Sequence, residues 1–161
     1  MPPALETGLR EKLAGSAHPR EHAVDVLFAL QAHFGWLTDD AVAEAARLLG
    51  MTPLEVDEIA TFYNLLYRRP VGRHVIHVCD GTVCWMQGHE SVLAYLEAKL
   101  GIAPGETTAD GLFTLLPVCC IGYCDRAPAM LVDLKVHGNL TPGAIDAVLD
   151  GLRAREGEAA P

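Results

Sequence analysis

Residues 71–84 read VGRHVIHVCDGTVC, and this stretch decides the fold that we expect for the second half of the chain. The short β-branched run from His74 to Cys79 is typical of a strand. Cys84 follows in the loop predicted after that strand. The stretch therefore predicts a strand whose carboxyl end carries two cysteines separated by four residues.

Strands and helices alternate downstream of this stretch. A helix is expected over 88–100, apolar strands over 112–118 and 129–134, and a last helix from 142 to about 153. The resulting order, β-α-β-β-α, predicts an α/β (α+β) domain. A strand–helix–strand unit of this kind pairs its strands in parallel with a right-handed crossover.

The other three cysteines follow the second predicted strand. Cys119 and Cys120 lie at its end, and Cys124 lies in the next loop. Parallel strands joined by one crossover have their carboxyl ends at the same edge of the sheet, where ligand-binding loops gather. We therefore expect the pair Cys79 and Cys84 to meet the pair Cys120 and Cys124 in space.

Upstream of these strands the pattern is helical. Apolar positions at helical spacing predict three amphipathic helices, over 21–34, over 39–49 and from 53 to about 66. Their predicted caps and stops are Thr38, Thr52, Gly35 and Gly50.

These patterns divide the chain into three predicted parts. Residues 1–70 form a helical bundle, residues 71–155 form the domain that carries the cysteines, and residues 156–161 form a disordered tail.

Composition limits the possible functions. The 161 residues include 12 Lys and Arg against 21 Asp and Glu, a net charge of −9. This balance argues against binding to nucleic acid or to an anionic membrane, since both need clustered positive charge. No apolar run approaches the roughly 20 residues that span a bilayer, and residues 1–6 lack the features of a signal peptide. We expect a cytoplasmic protein without membrane insertion.

The cysteine pairs, with four and three intervening residues, indicate metal or redox chemistry. Four thiolates hold a [2Fe–2S] cluster, two on each iron. Structural zinc also binds four cysteines, although the first pair is slightly long for it. A thioredoxin-type dithiol would need a Cys-x-x-Cys motif, which is absent, and inert buried thiols are the remaining interpretation. Spacing alone favours iron–sulfur and leaves zinc open.

Several other residues are weaker candidates. His77 could ligate iron as in a Rieske centre, but four thiolates make this unnecessary. Trp85 and Met86 could shield a cluster from water or pack in the ordinary way. Arg68 and Arg69 could bind an acidic partner, although a solvated pair is the commoner outcome.

The remaining cysteine and histidines are expected to have no special role. Cys119 is predicted to be a small buried residue at a strand end, and no glycine-rich nucleotide motif is present. Solvated histidines are predicted at His74, His89 and His137.

Several stretches closely resemble the E subunit of bacterial NADH:quinone oxidoreductase, respiratory complex I. They are residues 71–84, residues 113–124 with the following Ala127-Pro128, and residues 33–37, 49–51 and 59–63. The resemblance covers roughly residues 18–152, nearly the whole chain.

The resemblance implies a thioredoxin-like [2Fe–2S] ferredoxin domain preceded by a small helical bundle. It places the four cluster ligands at Cys79, Cys84, Cys120 and Cys124, and it assigns no ligand role to Cys119. It implies an electron-transfer subunit of the NADH dehydrogenase module, with no catalytic residue of its own. FMN and NADH would bind the neighbouring subunit, and other peripheral-arm subunits would complete the complex on the cytoplasmic side of the inner membrane.

Three alternatives accompany this interpretation. An equivalent subunit of an NAD-dependent formate dehydrogenase or an NAD-linked hydrogenase keeps the cofactor and changes the host. A zinc-stabilised structural subunit changes the metal. A free-standing thioredoxin-like ferredoxin is disfavoured because a diffusing carrier needs no helical bundle for docking.

Overall fold

The computed structural model describes residues 1–159, with side chains as far as Glu156. The chain divides into two compact units, Met1–Val71 and Gly72–Pro161. The predicted boundary between residues 70 and 71 lies next to this division.

Four α-helices form the first unit. They are α1 (Pro3–Ala14), α2 (Ala23–Phe34), α3 (Asp39–Leu49) and α4 (Pro53–Phe62), with a 3₁₀ turn at Pro19–His22. The sequence prediction missed α1, because only Leu9 and Leu13 of this helix are buried and its apolar stripe is correspondingly narrow. The prediction also extended α4 too far, since Tyr63 already has an extended backbone.

The predicted helix caps of this unit are confirmed. The Thr38 side chain accepts a hydrogen bond from the Ala41 N–H, and Thr52 and Glu55 form a reciprocal capping box. Gly35 and Gly50 end their helices in the left-handed conformation, which glycine adopts without steric cost.

Arg68 has a structural role in the first unit. Its guanidinium contacts Asp57 at 2.6 Å, Asp39 at 2.7 Å and the Leu37 carbonyl oxygen. The interpretation of Arg68 as a docking or solvated residue is therefore wrong, because three acceptors of its own unit hold it. The unit's core includes the fully buried residues Val26, Leu27, Leu30, Leu37 and Val56.

The second unit contains a four-stranded sheet. Its strands are β1 (His74–Cys79), β2 (Phe113–Val118), β3 (Met130–Val132) and β4 (Lys135–His137), in the order β2-β1-β3-β4. The predicted parallel pairing of β1 with β2 is confirmed, and β1 pairs with β3 in the antiparallel sense. β1 is thus an inner strand, and five of its six residues are buried.

A hairpin replaces the single strand predicted over 129–134. β3 and β4 pair in the antiparallel sense around Asp133 and Leu134, both of which have positive φ. Hairpin turns with positive φ at both positions usually contain Asn-Gly or Asp-Gly. The apolar Leu134 gave no such signal, and the prediction therefore extended the strand through the turn.

Three helices complete the second unit. They are α5 (Thr82–Met86), α6 (His89–Leu100) and α7 (Pro142–Ala159), and a 3₁₀ turn covers Cys124–Arg126. The helix α7 includes residues 156–159, where a disordered tail was predicted, while residues 160 and 161 lie outside the described residues. The core of the unit includes Ile76, Phe113, Leu115, Met130, Ile145 and Leu149. Among the described helices, none has the length and apolar character needed to cross a membrane.

Asp146 links α6 to α7. Its Oδ1 accepts hydrogen bonds from Lys99 Nζ and from the Tyr95 hydroxyl, each at 2.8 Å. The hydrogen bond from Lys99, followed by that from Tyr95, lowers the pKa of Asp146 from its ordinary value. A carboxylate with a depressed folded-state pKa stabilises the fold above its unfolded pKa of about 3.9. That contribution is lost as the pH falls through the folded pKa.

We expect Asp146→Asn to lower the free energy of unfolding at pH 7. The difference from wild type should shrink below about pH 4 and disappear once the wild-type carboxylate is protonated in both states. Denaturant titrations across this pH range measure it. Asp150→Asn is the matched control. Asp150 is an exposed carboxylate of the same helix, and its ion-pair partner Arg153 is 3.7 Å away rather than at the 2.8 Å of the Asp146 partners. If the free energy of unfolding of Asp146→Asn stayed equally far below that of wild type at the lowest pH, the expectation would be wrong.

Candidate metal centre

Four of the five cysteines meet at one edge of the second unit's sheet. Cys79 ends β1, Cys84 lies in α5, Cys120 follows β2 and Cys124 begins the 3₁₀ turn. Cys79 and Cys84 lie in one buried cluster, the loop after Cys79 lies against Cys120 at Gly81, and the Sγ atoms of Cys120 and Cys124 are 3.4 Å apart. The structure thus brings the predicted residues together, although Cys84 lies in a short helix where a loop was predicted.

The two pairs differ in exposure. Cys79 and Cys84 are buried beside Ala129, whereas Cys120 and Cys124 are exposed. The edge therefore offers one pair of sulfurs on the protein interior and one pair toward solvent.

Close approach of the two cysteine loops depends on Gly81. A Cβ at this position would lie 2.9 Å from the Cβ and 3.1 Å from the Cα of Cys120. Such distances leave no room for a side chain. Gly81 therefore allows the loop that follows β1 to lie directly against the residue that follows β2.

The environment of the sulfurs shifts their protonation. Burial, followed by the hydrogen bond with Cys79, raises the pKa of Cys84 to about 11, and a backbone hydrogen bond from Ala129 acts in the opposite direction. The Gly122 N–H, 3.4 Å from the sulfur, is the main cause of the lowered pKa of Cys120. The hydrogen bond with Cys120 raises the pKa of Cys124. Metal binding here would displace protons, since thiolates are the ligands.

The end of β4 supports the loop that carries Cys124. The Asn139 N–H donates to the Arg126 carbonyl oxygen at 2.6 Å. A Cβ at Gly138 would lie 2.7 Å from three atoms: the Arg126 Cβ, the Arg126 carbonyl oxygen and the Tyr123 Cε1. The 3₁₀ turn therefore packs directly on the backbone of residue 138.

Two predictions about neighbouring residues are wrong. Cys119 is exposed, where a buried residue was predicted, because β2 ends at Val118 and the chain then turns outward. His89 is only 8% exposed, where a solvated side chain was predicted, and its Nδ1 lies 2.9 Å from the Cys79 carbonyl oxygen. Nothing in the spacing of the sequence distinguished His89 from an exposed residue at the start of α6.

The other candidates are exposed or lie within β1. Trp85 is 59% and Met86 71% exposed, so neither packs in the ordinary way within the unit. His77 is buried within β1. His74 is half-buried and contacts Asp133, so a solvated His74 is also a wrong prediction.

His137 is also only partly exposed. It lies at the end of β4, and burial, followed by the charge of Lys135, lowers its pKa. His137 is therefore solvated only in part, where a solvated side chain was predicted.

The donor set fits an iron–sulfur cluster. Two thiolates on one tetrahedral metal, with bonds of about 2.3 Å, lie about 3.8 Å apart, which is close to the 3.4 Å between Cys120 and Cys124. A [2Fe–2S] cluster takes two thiolates for each of two irons, and the four sulfurs at this edge supply that number.

Comparisons with known proteins agree with this chemistry. Residues 9–153 match the family model of the thioredoxin-like [2Fe–2S] ferredoxin. The E subunit of NADH-quinone oxidoreductase from Pseudomonas aeruginosa is 46% identical over 132 residues, which are 82% of this chain and 80% of the relative. The subunit of the same name from Escherichia coli K12 is 43% identical over 150 residues, 91% of this chain and 90% of the relative.

A solved structure is also similar. A chain of the NAD⁺-reducing [NiFe]-hydrogenase in the air-oxidised state matches with 30% identity and a TM-score of 0.68. The match covers 81% of this chain but only 23% of that hydrogenase chain. From the family model and the two bacterial relatives together, it follows that this chain belongs to the thioredoxin-like [2Fe–2S] ferredoxin family, with the E subunit of NADH-quinone oxidoreductase among its relatives.

Proposed function

We propose that this chain is the electron-transfer subunit of the NADH-oxidising module of a bacterial NADH-quinone oxidoreductase. One [2Fe–2S] cluster would be held by Cys79, Cys84, Cys120 and Cys124. The observation that carries the proposal is the convergence of these four thiols at one sheet edge, in a chain of this family. The names of the two bacterial relatives support the host complex.

Each part of the site has a task under this proposal. A [2Fe–2S] cluster, when bound, accepts and releases one electron at a time. Cys79 and Cys84 would hold it from the interior and exclude water on that side. The Gly122 N–H hydrogen-bonds the Cys120 sulfur and would stabilise negative charge there.

The partner is proposed to be the subunit that binds FMN and NADH. No residue of this chain is assigned a catalytic role, so the reduction of its cluster would depend on that neighbour. The exposed side of the site, with Cys120 and Cys124, suits electron exchange with another protein. The complex would place the chain on the cytoplasmic side of the inner membrane, in the peripheral arm.

A second host has specific support. The similarity to a chain of an NAD⁺-reducing [NiFe]-hydrogenase, at a TM-score of 0.68, favours an equivalent subunit of an NAD-linked hydrogenase as the alternative. The cofactor and its ligands would be the same in either host. The genes beside the one for this chain would distinguish the two.

The cluster is tested by comparing a variant that lacks one proposed ligand, Cys120→Ser, with a variant that lacks the neighbouring thiol, Cys119→Ser. Anaerobically purified wild-type chain, reduced with dithionite, should give a spin-half EPR signal with two irons and two sulfides for each chain. Cys120→Ser should abolish or strongly perturb this signal, because it removes one of four thiolates.

Cys119→Ser is the matched control. Cys119 is the adjacent exposed thiol and has no proposed ligand role, so this variant should keep the iron, the sulfide and the signal of wild type. One zinc with neither sulfide nor signal in the wild-type chain would establish the zinc-stabilised structural alternative instead. Equal loss in the two variants would overturn the proposed ligand set.

The proposed partner is tested separately. The cluster-loaded chain, mixed with the subunit that binds FMN and NADH, should show the EPR signal of the reduced cluster when NADH is added. The cluster-loaded chain alone should show no such signal with NADH. Failure of NADH to reduce the cluster in the assembled complex would reject exchange with FMN while leaving the cluster assignment intact.

A further inference from the structure

The short helix α5 presents three apolar side chains to solvent. Val83 is 40%, Trp85 59% and Met86 71% exposed, while Cys84 of the same helix is buried. Single exposed apolar residues are common on protein surfaces, but a contiguous group of them marks a site of interaction with another molecule. We call these three side chains the α5 patch. Because they are largely solvated, they contribute little to the stability of the unit.

The α5 patch lies beside the metal centre. Cys84, the proposed ligand that this helix carries, is buried beside Cys79 and Ala129. Gly81, which precedes the helix, lies against Cys120, since a Cβ at position 81 would lie 2.9 Å from the Cys120 Cβ. A molecule bound to the α5 patch would therefore adjoin the edge of the sheet at which the four sulfurs meet.

The composition of this segment is typical of the centre of a protein interface. Residues 81–89 contain no Asp, Glu, Lys or Arg. The centres of interfaces are depleted of charged residues and enriched in aromatic residues and Met. Trp is also among the residue types whose removal costs the most binding free energy. We therefore expect Trp85 to be the main anchor of an interface here, with Met86 as a second contact.

The charged groups of the two segments that carry the sulfurs are mainly negative. In residues 79–90 and 119–126, the exposed carboxylates are Asp80, Glu90 and Asp125. The same segments contain a single Lys or Arg, which is Arg126, and its guanidinium lies 3.7 Å from the Asp125 carboxylate. The α5 patch is thus an apolar group in an acidic part of the surface.

This charge separates the possible occupants of the α5 patch. Two copies of the chain related by a twofold axis would place the same acidic segments close to each other, which is unfavourable. An anionic membrane would be repelled in the same way. A protein that presents an apolar depression with basic residues at its rim complements both the patch and the charge around it.

We propose that the α5 patch is the docking surface for the subunit that binds FMN and NADH, and that this subunit meets it with an apolar depression rimmed by basic residues. The inference rests on the proposed function, which supplies the identity of the partner. The position of the patch supports that identity, because a protein that exchanges electrons with the cluster must approach the sheet edge where the sulfurs lie.

The test measures binding of the cluster-loaded full-length chain to the FMN- and NADH-binding subunit by biolayer interferometry. Trp85→Ser removes the proposed anchor, and Met86→Gln changes a more exposed side chain that is not adjacent to Cys84. We expect Trp85→Ser to raise the dissociation constant about 30-fold or more and Met86→Gln about fivefold. Trp85→Phe should lie closer to wild type than Trp85→Ser. Each variant should keep the wild-type EPR signal after reduction with dithionite.

Leu134→Asn is the matched control. Leu134 is 69% exposed in the same unit, and its neighbour Asp133 contacts His74 at the start of β1. Cys79 ends that strand, so Leu134 lies near the opposite end of β1 from the sulfurs. Asparagine tolerates the positive φ of this position. The variant should therefore bind the partner with wild-type affinity.

The charge of the partner's rim is tested in the same assay. Association of the wild-type chain should slow as the ionic strength rises, because salt screens the attraction between opposite charges. An association rate that stays constant or increases with salt would reject the basic rim.

Wild-type affinity in both Trp85→Ser and Met86→Gln, or an equal loss in Leu134→Asn, would overturn the inference. If Trp85→Ser did not hold the cluster, Met86→Gln would decide the question. A wild-type chain that sediments as a dimer, and as a monomer with Trp85→Ser, would assign the α5 patch to a second copy instead. A wild-type chain that holds a cluster but does not bind the flavin subunit would reject the proposed partner itself, so the two failures are distinguishable.

Discussion

Gly138→Ala should displace the loop that carries Cys124 and weaken cluster binding. The added Cβ would lie 2.7 Å from the Cβ and the carbonyl oxygen of Arg126 and from the Tyr123 ring. The carbonyl oxygen is backbone that also accepts from the Asn139 N–H at 2.6 Å. The clash can therefore be relieved only by moving backbone, either at residue 138 or in the 3₁₀ turn that Cys124 begins.

The expected size follows from overpacking. Forcing an extra methyl into a filled site destabilises a protein by about 1–3 kcal/mol. Since about 1.4 kcal/mol is a factor of ten, we expect the loaded chain to release its iron to a chelator about tenfold faster than wild type. Loss of the cluster's visible absorption in the presence of the chelator measures this rate.

Gly151→Ala is the matched control for this substitution. Gly151 lies in α7, and a Cβ there would meet nothing within 4 Å. Alanine in an exposed helix interior is favoured over glycine by about 1 kcal/mol, so this variant should be at least as stable as wild type and release iron at the wild-type rate. If Gly138→Ala released iron at the wild-type rate, the prediction would be wrong, because the turn would then accommodate the added methyl group despite the contacts at Gly138.

Phe113→Ala should have the largest effect on stability. Phe113 is fully buried at the start of β2, where its ring lies beside that of His74 and 5.4 Å from the Arg153 guanidinium. Removing a buried phenyl ring costs about 3–5 kcal/mol, a large part of the roughly 5–15 kcal/mol that stabilises a typical domain. Denaturant unfolding, followed by near-UV circular dichroism and cluster absorption, measures the loss.

A second phenylalanine serves as the control. Phe62 is 78% exposed at the end of α4, so Phe62→Ala should change stability by no more than about 0.5 kcal/mol in the isolated chain. Phe113→Leu should lie between the two, because it retains most of the buried volume. If Phe113→Ala and Phe62→Ala lowered the free energy of unfolding by similar amounts, the assignment of Phe113 to the core would be wrong.

The elements that position the site were predictable because they have strong local signals. The β-branched run of β1, the apolar run of β2 and the periodic helix α6 each buries a face that its pattern reveals. Together they fix a parallel pair with one crossover, and the cysteine loops then meet at one sheet edge. The convergence of the thiols thus followed from topology, without any side-chain contact being known.

The parts that were missed depend on contacts or on unusual turns. The helix α5 has only five residues, too few for a periodic pattern, so Cys84 was assigned to a loop. The turn at Leu134 lacks the glycine that signals a hairpin. His89 is buried where its ring contacts the Cys79 carbonyl oxygen at the end of β1. This contact exists only once the sheet has formed, so the local sequence around His89 does not reveal it.

The unequal burial of the four sulfurs has a practical consequence for handling the protein. In a cluster held as proposed, small oxidants such as peroxide would reach Cys120 and Cys124, whereas Cys79 and Cys84 are sealed from solvent. Damage would therefore begin at the outer pair. Partly degraded preparations would carry oxidised sulfur at residues 120 and 124 while the inner two remained intact, a pattern that peptide mapping by mass spectrometry can recognise.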